Sequence, residues 1–157
     1  MPLIIALENK DWLRIRGLKT IAEKAYAASL TAVQRKKTVT LLFTDDATLK
    51  SLNKDWRGKN KPTNVLSFPA SPDLIIPRGE AKPLGDIALA FETVLREAED
   101  SEKTLKDHTT HLIVHGILHL LGFDHISDGE AAVMEAREIR ILKKLGIADP
   151  YRVNSGL

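Results

Sequence analysis

Apolar positions change period several times along the chain. Leu3-Ile4-Ile5-Ala6-Leu7 is a short continuous apolar run and predicts a strand. Leu18, Ile21, Ala22, Ala25, Tyr26 and Leu30 recur at three- and four-residue intervals, which predicts a helix over 18–30. Residues 38–44 (TVTLLFT) are β-branched and apolar and predict a second strand. Thr44 then stands where it can N-cap a helix from Asp45, whose acidic first turn suits the helix dipole. That helix turns Leu49 and Leu52 inward and ends near Trp56-Arg57-Gly58.

Residues 64–68 (NVLSF) predict a third strand, closed by Pro69. The Pro- and Gly-containing stretch from Ala70 to Pro83 is long for a loop, and loops of that length are often functional or mobile. Residues 86–91 (DIALAF) predict a fourth strand, and 92–100 an acidic helix. A longer helix is expected from Lys103 to Leu121, stopped by Gly122 in a left-handed C-cap position. Ser127-x-x-Glu130 is a capping box that opens the last helix. This helix presents Val133, Met134, Ile139, Ile141, Leu142 and Leu145 before Gly146. Four strands with helices before, between and after them predict an α+β architecture.

The 157 residues suit one domain over 1–157. The absence of cysteine excludes disulfides and Cys-based metal sites and fits a reducing compartment. No apolar run approaches the roughly 20 residues of a membrane span. The N-terminal run is broken by Glu8, too early for a signal peptide, so the cytoplasm is expected and a membrane partner is not. The formal net charge is only +2, yet residues 1–85 carry 15 Lys/Arg against 8 Asp/Glu, and residues 86–157 carry 8 against 13. Lys50, Lys54, Arg57, Lys59 and Lys61 form the densest basic stretch. Such a stretch attracts phosphates; it is also what a solvated surface looks like.

All five histidines (His108, His111, His115, His119 and His125) lie in one segment. Around His115 and His119, Leu, Ile and Val cover almost the whole helix circumference, and a helix apolar all round is buried. At i, i+4 the two imidazoles share one face, with Cβ atoms roughly 6 Å apart, a suitable bite for one zinc ion. The turn at Gly122 can bring His125 over the open side. Three nitrogen ligands and a free vertex make the catalytic zinc pattern. Core histidines satisfied by carbonyls are the plainer alternative, and nickel or copper would also accept such ligands.

His115, His119, Gly122 and His125 match the spacing of the metzincin peptidase pattern H-E-x-x-H-x-x-G-x-x-H, but Gly116 replaces its general-base Glu. Glycine inside a helix costs roughly 1 kcal/mol relative to Ala, so either close packing or a ligand near the metal calls for the space. His111, one turn before His115, is a candidate to support the ligands or to face a substrate. His108, near the polar start of the helix, is expected to be exposed. Asp124 either orients an imidazole or caps the turn.

These residues resemble the YbeY family of bacterial endoribonucleases and ribosomal RNA maturation factors. The match rests on the signature H-G-x-L-H-L-x-G-[YF]-D-H at His115 to His125, on the segment from Arg57 to Pro69, and on Leu84-Gly85-Asp86-Ile87. Asn64 stands where many members have Asp, Phe123 where Tyr is common, and Ala90 where a small polar residue often follows. The resemblance implies a mixed four-stranded sheet packed with about five to six helices, with a zincin-like metal site on the central helix. It implies His115, His119 and His125 as ligands of one zinc ion, and Arg57 as a functional residue at the cleft mouth. Arg57 would clamp a phosphate, and His111 is a candidate catalytic residue; for the general base His111 and Asp124 both stand open, and zinc-bound hydroxide or the RNA 2′-hydroxyl would attack without one. The implied activity is cleavage of single-stranded RNA in small-subunit (16S) rRNA 3′-end maturation and ribosome quality control. The implied partners are ribosomal RNA, the small ribosomal subunit and ribosome-assembly proteins. A metallopeptidase-like hydrolase and a non-catalytic assembly factor with structural zinc are the rival readings. The missing Glu argues against the first, and the lack of an evident fourth ligand against the second.

Overall fold

The computed structural model describes residues 3–57, 63–71 and 73–152, without the side chains of Trp56 and Arg57. Among these, four strands and five α-helices follow in the order β1 (Leu3–Leu7), α1 (Leu18–Ser29), β2 (Thr38–Thr44), α2 (Asp46–Arg57), β3 (Val65–Pro69), β4 (Pro83–Ala90), α3 (Phe91–Asp100), α4 (Leu105–Leu120) and α5 (Asp128–Lys144). The sheet order is β1-β2-β4-β3. Strands β1, β2 and β4 run parallel, and β3 pairs antiparallel with β4, so the sheet is mixed. No helix among the described residues is long and apolar enough to cross a membrane.

Alternation along the strands gives the sheet two apolar faces. Val39, Leu41, Phe43, Ile87 and Leu89 point into the main core with residues of α1, α4 and α5. Leu66, Ala88 and Ala90 point the other way, against Leu49 of α2. Trp12 locks the end of β2: its Nε1 donates to the Thr44 carbonyl at 2.8 Å, and its ring meets Phe43 and Phe91 edge-on.

Three local details depart from the periodicity reading. Asp45, rather than Thr44, caps α2, accepting the Thr48 N–H at 2.8 Å, while the Thr44 hydroxyl donates to Glu8. Strand β4 begins at Pro83, three residues early, because a proline is tolerated at the first position of a strand. On α5, Met134, Ile141 and Leu142 are buried as expected, but Val133 is exposed.

Helix α4 crosses the main-core face of the sheet. Thr104 caps its start by accepting the Asp107 N–H. Its end is a Schellman turn: the Gly122 N–H donates to the His119 carbonyl and the Phe123 N–H to the Leu118 carbonyl, both at 3.0 Å. Gly122 has φ 100°, a left-handed conformation that favours glycine. Helix α5 ends the same way at Gly146, with φ 79°.

Candidate metal centre

The reversal at Gly122 carries His125 back over the end of α4. Its ring lies 5.6 Å from that of His115 and 5.0 Å from that of His119, centroid to centroid. Ligand atoms of all three rings lie within 4.8 Å of one another. The Nε2 atoms of His115 and His119 face each other at 3.1 Å, near the edge of about 3.3 Å set by two Zn–N bonds of about 2.0–2.1 Å at tetrahedral angles.

Hydrogen bonds on the far side of each ring fix what those Nε2 atoms offer. The His115 Nδ1 lies 2.5 Å from Glu138 Oε1, so a neutral His115 keeps its proton there and presents a bare lone pair at Nε2. His119 makes a backbone hydrogen bond at Phe123, but burial, then the neighbouring His115 and His125 rings, hold its pKa below the ordinary imidazole value. Three imidazoles with ligand atoms this close form a group that could hold a metal ion.

Glu138 is fully buried on α5. Besides His115, its carboxylate accepts from His111 Nε2 at 3.1 Å and from the Tyr151 hydroxyl. Burial works to raise its pKa, but these hydrogen bonds outweigh it and hold the value at about 2. Burial, then Glu138, push the Tyr151 hydroxyl well above its ordinary pKa and keep it a donor. Neither residue is evident from the histidine spacing. The available signal was position: Glu138 lies on the helical stripe of Met134, Ile141 and Leu142, where a carboxylate must be satisfied.

The other candidate residues separate. His111 is buried, with Nε2 on Glu138 and no partner for Nδ1. His108 is buried too, against expectation: its Nε2 meets Glu97 Oε1 at 2.9 Å, and α3 covers the polar ring. Asn64 donates to the same carboxylate at 3.0 Å. Asp124 accepts the His125 N–H at 2.8 Å and so caps the turn. Arg57 closes α2, but its side chain lies outside the described residues, as do Lys59 and Lys61.

The space at Gly116 belongs to packing. A Cβ there would lie 3.0 Å from two Ile87 side-chain carbons and 3.2 Å from Ser67 Oγ. These two residues are register partners on β4 and β3, and the Ser67 hydroxyl donates to the Gly116 carbonyl.

Two hollows flank the centre. One, of about 380 Å³, is lined by residues including Asn64, Glu97, His108, His111 and His115. The other, of about 270 Å³, is lined by residues including His125, Met134 and Glu135. Tyr151 borders both.

A family model described as Endoribonuclease YbeY matches residues 5–146. The chain belongs to the YbeY family. A Rhizobium etli protein named Endoribonuclease YbeY is 57% identical over 162 residues, covering 96% of this chain and 93% of its own length. A Bartonella bacilliformis protein of the same name is 49% identical over 150 residues, covering 94% of each. The solution structure of TM1509 from Thermotoga maritima superposes with a TM-score of 0.54 at 21% identity, covering 99% of both chains, and shares the fold.

Proposed function

We propose that this YbeY-family protein is a zinc-dependent endoribonuclease selective for single-stranded RNA, acting in 16S rRNA 3′-end maturation and ribosome quality control in the cytoplasm. Its relatives' name supplies the reaction class, cleavage within RNA. The carrying observation is the meeting of His115, His119 and His125 as a group of three, with no fourth protein ligand in that group among the described residues. Structural zinc sites are normally closed by four protein ligands, so an open set favours catalysis over a purely structural role. Bound there, zinc supplies a Lewis acid that polarises a phosphoryl oxygen and makes a water more acidic.

In this reading the chain's own residues do the rest. Arg57, with its planar fork, and the neighbouring lysines hold the phosphate backbone. His111 lines the larger hollow, and it and Asp124 are the candidates to handle a proton. The expected partners are ribosomal RNA, the small ribosomal subunit and assembly proteins around it. The test compares zinc-loaded wild type with His115→Ala on a single-stranded RNA. Cleavage by the first and only background from the second is expected. Equal background from both, with zinc bound and the fold intact, defeats the reading.

A further inference from the structure

The His115 ring has two nitrogens in different surroundings. Nε2 faces His119, and Nδ1 meets Glu138 Oε1 at 2.5 Å. A buried carboxylate needs donors for both oxygens. His115 serves Oε1, while His111 and the Tyr151 hydroxyl serve Oε2. Tyr151 is itself held in place. Its backbone N–H donates to Asp149 Oδ1 at 2.8 Å, and Lys103 Nζ donates to the adjacent Pro150 carbonyl at 2.8 Å. One carboxylate thereby ties α4, α5 and the segment after Gly146 to a single imidazole.

We propose that Glu138 is the positioning residue of the three-histidine group, fixing His115 as the Nδ1–H tautomer with Nε2 toward the ion, and that Tyr151 is the latch that orients the carboxylate. The proposal rests on the zinc reading above. A competing arrangement exists, because His111, His115 and Glu138 also form a group whose ligand atoms lie within 4.8 Å of one another. The 2.5 Å approach of Oε1 to Nδ1 decides against it. That separation is shorter than an ordinary hydrogen bond and far short of the about 3.3 Å that two bonds of about 2.0–2.2 Å to one tetrahedral ion impose, so it speaks for the hydrogen bond.

The test is zinc affinity of the full chain, measured by competition with a chromophoric chelator, with far-ultraviolet circular dichroism as the fold control. Glu138→Gln is expected to raise the zinc Kd by about 10–100-fold at an unchanged stoichiometry of one per chain, and Tyr151→Phe by a smaller factor. A folded Glu138→Gln protein whose Kd stays within about twofold of wild type, far short of that loss, overturns the proposal. So does a stoichiometry of two that falls to one in the variant, since Glu138 is then a ligand. Should Glu138→Gln fail to fold, zinc-loaded wild type decides through long-range proton–nitrogen NMR correlations. A proton on His115 Nδ1 with metal on Nε2 supports the proposal, and the reverse assignment overturns it. Wild type that takes up no zinc overturns the proposal together with the reading beneath it; zinc bound with equal affinity by both proteins overturns the proposal alone.

Discussion

The two edges of the His115 ring are built in different ways. On the Nε2 edge the neighbours are local: His119 lies one helical turn away, and His125 follows the Gly122 reversal. On the Nδ1 edge they are distant: Glu138 comes from α5 and Tyr151 from the segment beyond it. The first edge can be written into a short motif because helical spacing and one left-handed residue determine it. The second exists only once α5 has packed against α4. The difference separates the group suited to hold an ion from the contacts that would aim one of its rings.

The largest effect is expected on the local edge. His119→Ala should reduce zinc in the purified protein from one per chain to background, a greater loss than any change at Glu138 causes. Elemental analysis beside wild type checks this, and equal zinc in both would erase the distinction between the edges. Next comes Glu138→Ala, which leaves several buried donors without their acceptor. At about 1–3 kcal/mol per unsatisfied group, the urea-derived unfolding free energy of the metal-free protein should fall by about 3 kcal/mol. No change there would mean that the distant edge carries no structural weight.

Gly116→Ala probes the seat beneath both edges. Overpacking against Ile87 and Ser67 should cost about 1–3 kcal/mol, partly offset by about 1 kcal/mol of helix propensity. Adding Ile87→Val, which removes the contacting Cδ1, should recover part of the loss in a double-mutant cycle.

The smallest effect is a control on the opposite face of the sheet. The backbone and side-chain hydrogen bonds from Thr48 hold the Asp45 carboxyl below its ordinary pKa. Its stabilising contribution is therefore present above the unfolded-state pKa and lost as pH falls through the lower folded-state value. Asp45→Asn keeps a capping oxygen, so neutral-pH stability should hardly move while the acid limb of the pH–stability curve flattens. Zinc affinity should be unaffected.

Much of this was legible along the chain. The four strands and five helices follow the changes of apolar period, and the capping box at Ser127 forms as expected, with the Glu130 N–H donating to the Ser127 hydroxyl oxygen. Contacts between distant elements were not legible. His108 was expected at the surface, but Glu97 of α3 makes its burial tolerable. Thr44 was the expected cap, yet its carbonyl and hydroxyl are engaged by Trp12 and Glu8, leaving the role to Asp45. Glu138 had a readable position on a buried stripe, but the identity of its partners depended on how α5 lies against α4.

The glycine beside His115 has a consequence for how such centres diverge. Because Ile87 and Ser67 already crowd a Cβ at this position, the peptidase glutamate would fit only if those side chains gave way by a few tenths of an ångström. A single substitution therefore offers no easy passage from this centre to peptide hydrolysis. Exchanging this glycine for a larger residue would have to be matched by a smaller neighbour at Ile87.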